Sequence, residues 1–144
     1  MAQFKKGDMF SVFNISDHFL ITTNAIIKKN GALVMGAGIA KTCRDRWPGL
    51  DVKLGTAIKQ NGPEYGVILG RKLGIFQVKH HFKDAADLEL IAASARKLAV
   101  IAAAQKDERF DLNFPGIGNG KRSYAEVKPL LDILPDNVYV WTFK

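Results

Sequence analysis

Two glycine-rich segments, VMGAGIAKT (Val34 to Thr42) and GIGNGK (Gly116 to Lys121), each sit between an apolar, strand-like run and a helix-like stretch. This recurrence of strand, tight loop and helix constrains the fold more than any other feature. Strands that alternate with helices build a mostly parallel or mixed sheet covered on both faces, so an α/β chain in three α/β/α layers is expected. Such sheets bind ligands beyond the carboxyl ends of their strands, and both loops fall on that edge.

The first loop comes close to a nucleoside-triphosphate loop without being one. That loop needs glycine immediately before its lysine and another five residues earlier, so that consecutive N–H groups curl around the phosphates. Ala40 and Met35 hold those positions here. What remains is a tight Gly-Ala-Gly turn opening a helix, where unpaired N–H groups and the positive helix end favour phosphate. Two such loops on one edge point to a diphosphate. Gly36, Gly38, Gly116, Gly118 and Gly120 read either as phosphate contacts or as helix starts and turns alone.

Along the chain, Phe4 to Phe13 reads as a short strand interrupted by KGD, and HFLITTN (His18 to Asn24) as a buried strand. AIIKKNGAL carries a turn signal, and the helix opened by the first loop runs to about Trp47, where Pro48-Gly49 ends it. NGPEYG is a loop. VILGRKLGIFQVKH reads as two strands about a Lys-Leu-Gly turn. From Ala85 to about Lys106 the pattern is helical, with Leu88, Ile91, Ala95, Leu98 and Ala102 on one face and Asp84 as cap. RFDLNFP is a strand, Ser123 and Glu126 have capping-box spacing ahead of an irregular turn at Pro129, and NVYVWTF closes the chain as a strand.

With 144 residues the chain has the size of one compact domain, expected to span 1-144, and its 47% apolar and 24% charged residues are those of an ordinary globule. The first residues lack the apolar run of a secretory leader, and the apolar helix is broken by Arg96 and Lys97, so no membrane span is expected. One cysteine, Cys43, excludes an internal disulfide and reads as a packing residue. Three histidines at unsuitable spacing argue against zinc; no metal or cofactor is expected, and a reducing cytoplasmic setting and a monomer fit best. The formal charge of +7 favours polyanions such as nucleic acid or nucleotides, although spread-out basic residues equally make a soluble surface.

Four segments in order resemble the macro domain family, the ADP-ribose binding fold. KGDMF is similar to its first motif, ITTNA…VMGAGIA to its asparagine and glycine loop, FPGIGNG to its second diphosphate loop, and VYVWTF to its last strand near the adenine. The resemblance implies an adenine amine on Asp8, with Met9 beside it, and diphosphate between two loops. Met35, Gly36, Ala37, Gly38, Ile39 and Ala40 form the first, and Gly116, Ile117, Gly118, Asn119, Gly120 and Lys121 the second. The distal ribose then lies near Asn24 or Asn30, Asn119 and Lys79, with Ser123 at the second loop's end. MGAGIA followed by FQVKHHFKD is most similar to the branch of terminal ADP-ribose protein glycohydrolases and of antitoxins that remove ADP-ribose from DNA. Lys79 sits at the place of that branch's catalytic lysine, and Asn24 is implied beside it.

One departure stands out. Where that branch carries an aspartate after the second loop, an ungapped match places Ser123, whose hydroxyl lacks a carboxylate's charge and basicity. Asp8 also reads as a turn residue, Phe143 as core or as an adenine neighbour, and Lys79 as a solvated strand-end lysine or a nucleophile of lowered pKa. His80 and His81 read as surface residues or proton carriers. Three function classes follow: an ADP-ribosyl hydrolase acting on DNA or protein, a non-catalytic ADP-ribose reader or ADP-ribose 1″-phosphate phosphatase, and a basic nucleic-acid binding protein.

Overall fold

The computed structural model describes residues 1–62 and 66–143. Among the described residues six strands form one sheet: β1 (Gln3–Lys6), β2 (His18–Thr23), β3 (Val67–Leu69), β4 (Leu73–Gln77), β5 (Phe110–Asn113) and β6 (Val138–Thr142). Their spatial order is β1-β6-β5-β2-β4-β3, with every neighbour parallel except the β3–β4 hairpin. The same residues hold four α-helices: α1 (Gly38–Arg46), α2 (Leu50–Asn61), α3 (Leu88–Ala104) and the single turn α4 (Tyr124–Val127). No helix among the described residues is long and apolar enough to cross a membrane.

Side-chain alternation along the strands divides the interior into two cores, one on each sheet face. Leu20 of β2, Phe76 of β4 and Leu112 of β5 meet Ile91, Ala95 and Leu98 of α3. Phe19 and Ile21, the flanking positions of β2, turn the other way onto Cys43 of α1 and Leu54 and Ile58 of α2. The expected three-layer α/β/α fold with a mixed, mostly parallel sheet is therefore the observed one. Burial pushes the Cys43 thiol up to about 12, against a lowering by Arg46, so it packs as an uncharged side chain.

Local differences from the sequence expectation have physical causes. Beyond KGD the chain does not resume a strand: Gly7, at φ 134°, turns it off the sheet, and the Asp8 carboxylate accepts the Phe10 N–H to cap a 3-10 turn over Met9–Val12. The β3–β4 turn falls at Gly70, Arg71 and Lys72 rather than at Lys-Leu-Gly, since Leu73 and Gly74 pair with Phe19 and Leu20. Gly74 serves packing, because a Cβ there would lie 2.4 Å from the Leu20 side chain. Helix α3 begins at Leu88, three residues later than expected, and its cap is Asp87, which accepts the Glu89 and Leu90 N–H groups; Asp84 is not the cap. Helix α2 had no counterpart in the sequence reading, although Leu50, Leu54 and Ile58 recur at four-residue intervals. The expected NGPEYG loop has its centre outside the described residues.

Candidate functional site

The strand order sets the place of the site. From β2 the chain crosses one face through α1 and α2 toward the β4–β3 side, and from β5 it crosses the other face through α4 toward β6. Adjacent parallel strands whose connections leave in opposite directions open a crevice at their carboxyl ends. The β2–β5 ladder runs from His18↔Phe110 to Leu20↔Leu112, and there the strands part. Asn113 bridges the gap: its Oδ1 accepts the Thr22 N–H at 3.0 Å and its Nδ2 donates to Thr22 Oγ1 at 2.9 Å. A cavity of about 770 Å³ stands over this floor, within the range of cofactor-sized ligands.

The first glycine loop forms one wall. Asn24 fixes it, donating through Nδ2 to the Val34 carbonyl at 3.0 Å while its Oδ1 accepts the Ile26 N–H at 2.9 Å. Helix α1 then starts at Gly38, φ 58°, behind Ala37, which offers no side-chain acceptor. The opening N–H groups of α1 therefore carry a partial positive charge with no side-chain cap, the arrangement that receives an anion. The second loop is the opposite wall. Its outer glycines pack closely, since a Cβ at Gly116 would lie 2.8 Å from Ile91 and one at Gly120 3.1 Å from Ala86, whereas Gly118 meets nothing. Across the mouth, a Cβ on Gly38 would lie 3.1 Å from the Asn119 amide, so the loops almost touch.

One end of the cavity is aromatic and the other polar. Phe114 and Tyr124 stack with centroids 4.5 Å apart at 15°, and Trp141 and the half-exposed Phe143 line the same region. Trp141 is held by its indole N–H, which donates to the fully buried Asp111 at 2.8 Å, and Arg109 holds that carboxylate through two bonds of 2.9 and 3.1 Å. At the polar end Lys79 Nζ donates to the carbonyls of Phe82, Asp84 and Asn119 at 3.3, 3.2 and 3.5 Å, tying the segment after β4 to the second loop. Partial burial and the neighbouring Lys121 charge lower its pKa from the ordinary lysine value, against an opposing effect of Asp84.

Of the residues singled out in the sequence, Asn24, Lys79 and Phe143 line this cavity, together with the whole first loop from Met35 to Ala40 and the second from Gly116 to Gly120. The others stand off it. Met9 is fully buried in the core beneath Trp141's face of the sheet, and Asp8 is exposed beside β6, since the adjoining Gly7 N–H donates to the Thr142 carbonyl. Asn30 closes the hairpin before the first loop by accepting the Ala32 N–H, so of the two asparagines it is Asn24 that reaches the cavity. Lys121, at φ 61°, points its charge near Lys79 from outside. His80 pairs with Asp87 at 3.1 Å and His81 stacks on Phe82 at 4.3 Å, neither of them lining the cavity. Asn113, Tyr124 and Trp141 were not singled out, although aromatics flanking the second loop at Phe114 and Tyr124 were a visible signal.

Ser123 caps α4, its hydroxyl accepting the Glu126 N–H at 3.1 Å while Glu126 accepts the Ser123 N–H. Ser123→Ala is expected to lower stability by about 1 kcal/mol and Ser123→Asp by no more than a few tenths, measured by urea denaturation. Equal stability of Ser123→Ala and wild type would show the cap to be dispensable.

These features define a class first: an α/β protein with an anion-receptive cleft at a topological switch point. Comparison with solved structures then gives the fold its name. The chain is similar to Thermosipho africanus DarTG in complex with ADP-ribose, at 20% identity and TM-score 0.80 over 97% of this chain and 41% of that one. It is also similar to the macrodomains of Thermus aquaticus DarG and Mycobacterium tuberculosis DarG, each at 21% identity and TM-score 0.73 over all of this chain and 98% and 99% of theirs. The fold is that of the macrodomains. Neither a protein-family model nor a curated protein matches the sequence.

Proposed function

We propose that the cleft binds ADP-ribose. One observation carries the reading: two N–H-rich loops meet across a cavity that is aromatic at one end and holds Asn24 and Lys79 at the other. A nucleoside diphosphate sugar has the matching order of parts. The adenine lies at the aromatic end near Phe143, where the second oxygen of Asp8 accepts its amine from beside Thr142. The diphosphate lies on the N–H groups from Gly36 to Gly38 and at Gly118, and the distal ribose lies by Asn24 and Lys79. The similar DarTG structure from Thermosipho africanus contains ADP-ribose, which supports the same ligand here.

A second reading, removal of ADP-ribose from DNA or protein, is favoured by Lys79 at the distal end with its lowered pKa. A neutral lysine attacks the carbonyl carbon of an opened ribose, and the desolvation that lowers the Lys79 pKa favours that neutral form. With Ser123 in place of the branch's acid, turnover is expected to be slow. The protein acts in this reading as a monomeric cytoplasmic domain spanning residues 1-144, and its charge of +7 suits a nucleic-acid carrier of the ADP-ribose.

Calorimetric titration tests the first reading: ADP-ribose is expected to bind at least tenfold more tightly than AMP, since AMP cannot occupy both loops. Equal affinities overturn it, and salt-sensitive binding of plain DNA without ADP-ribose binding supports the nucleic-acid class instead. Lys79→Ala is expected to abolish release of ADP-ribose from modified DNA or protein while leaving binding within about threefold. Release by Lys79→Ala at the wild-type rate removes the lysine from the chemistry.

A further inference from the structure

Asp111 is a carboxylate without solvent contact, set on β5 between two neighbouring strands, and packing alone does not account for it. An apolar side chain of similar volume is often as stable in such a place, because desolvating an ion pair costs about as much as its attraction returns. What the carboxylate supplies is direction. Arg109 grips it with Nε on Oδ2 at 2.9 Å and Nη2 on Oδ1 at 3.1 Å, which fixes the plane of the group. Oδ1 is then aimed to accept the Trp141 indole N–H at 2.8 Å. Arg109 is itself held, its guanidinium 3.9 Å from the Tyr139 ring centroid and its backbone N–H donating to Asp17 at 2.7 Å. The register sets Asp111 opposite Tyr139 and Asn113 opposite Trp141, so the bond from Trp141 to Asp111 runs diagonally across one face of the β5–β6 pair.

Trp141 touches two things at once. It lines the cavity at the aromatic end, and its ring lies against Gly7, where a Cβ would sit 3.7 Å from the indole Cζ3. Gly7, at φ 134°, turns the chain into the exposed Asp8, and its N–H donates to the Thr142 carbonyl at 2.8 Å. Met9, one residue further, is buried in the same apolar cluster as Trp141. The Gly7–Asp8 turn therefore rests on the indole ring and on the backbone of β6. An indole without its N–H bond is free to settle in another side-chain rotamer, and the bond to Asp111 selects one.

Resting on the ADP-ribose reading of the main cavity, we propose that Asp111 is a positioning residue for base recognition: acting through Trp141, it sets the Gly7–Asp8 turn so that the cleft selects a 6-aminopurine over a 6-oxopurine. An ionised carboxylate accepts hydrogen bonds only, so Asp8 attracts an amine and repels a ring carbonyl oxygen. A turn that shifts with the indole loses this discrimination before it loses contacts to the rest of the ligand.

The test is calorimetric titration with ADP-ribose and with its inosine analogue, in which an oxygen replaces the purine amine. Wild type is expected to prefer ADP-ribose by at least about tenfold. In Asp111→Asn and in Trp141→Phe the preference is expected to fall to about threefold or less. Asp111→Asn keeps the shape and removes the charge that Arg109 grips; Trp141→Phe keeps an aromatic ring in the core, removes only the bond, and decides the matter where Asp111→Asn does not fold. In the Trp141→Phe background Asp111→Asn is expected to change the preference no further, because the bond it acts through is gone. A purely structural role lowers both affinities by the same factor and leaves the preference intact, and that result overturns the proposal. So does a wild type that binds the two ligands equally. Failure of wild type to bind ADP-ribose at all overturns the main reading and the proposal with it, so the two failures are told apart.

Discussion

Gly55→Ala is expected to destabilise the protein by about 3 kcal/mol or more, although helix propensity alone predicts a gain of about 1 kcal/mol for alanine inside a helix. The geometry decides the sign. A Cβ at Gly55 would lie 1.9 Å from the Gly31 carbonyl oxygen, 3.0 Å from its carbon and 3.1 Å from the Leu33 nitrogen. These are backbone atoms in a hairpin held by the Lys28 N–H to Ala32 carbonyl bond and by the Leu33 N–H donating to the Asp51 carbonyl of α2, so neither partner yields cheaply. Relief requires α2 to lift from the hairpin, which exposes Leu54 and Ile58. Chemical denaturation reads the effect, and a Gly55→Ala variant as stable as wild type would show that α2 does not seat on the hairpin as described.

Gly36→Val is expected to cut ADP-ribose affinity at least a hundredfold, about 3 kcal/mol, with the fold intact. Gly36 lines the cavity, and a Cβ there meets no protein atom within 4 Å, so the added methyl groups go into the space where the diphosphate is proposed to lie. Its φ is outside the left-handed region, so valine brings no backbone strain. That sets Gly36 apart from Gly38 and Gly118, at φ 58° and 66°, where substitution mixes strain with occlusion. A thermal midpoint near that of wild type together with lost binding places phosphate against this backbone. Retained binding in the folded variant places it elsewhere.

The sequence was most legible where one local signal was strong. Apolar, β-branched or aromatic runs made β2, β5 and β6 readable, helical spacing made α3 readable, and glycine before a helix-like run located both walls of the cleft. It was least legible where two residues offered the same chemistry and tertiary pairing chose between them. Asp84 and Asp87 are both plausible caps, and the choice fell to Asp87, whose N–H also donates to the Val78 carbonyl at the end of β4. Gly74 resembles a turn residue because nothing local reveals that Leu20 needs the space. Helix α2 was missed because Gly49 at its cap, φ 89°, and Gly55 within it weaken the pattern of Leu50, Leu54 and Ile58.

The site divides in the same way. Its walls were local, whereas its floor and its aromatic end depend on which strands lie side by side. Asn113 matters because β5 neighbours β2 where the ladder ends, and Tyr124 because a capped turn brings it onto Phe114. The first relation has no sequence signature, and the second shows only as two aromatics flanking the glycine loop. Asn24 and Asn30 have identical chemistry, and only the path of the hairpin separates the one facing the cavity from the one closing the turn.

The pairing of β1 with β6 also fixes an order of events in time. Strand β6 is β1's sheet neighbour, and the Gln3 side chain donates to the Asp136 carbonyl across 133 positions of sequence. Contacts between such distant segments carry a large loop-closure cost and form slowly, so during synthesis β1 waits unpaired until β6 has emerged. The strand it waits for brings Trp141, Thr142 and Phe143, the aromatic end of the cleft. A chain that has not yet paired β6 therefore has both glycine loops and no complete pocket. On the proposed reading, ligand competence is acquired only once β6 is in place, and a ligand present at that moment favours the finished state over any intermediate that lacks β6.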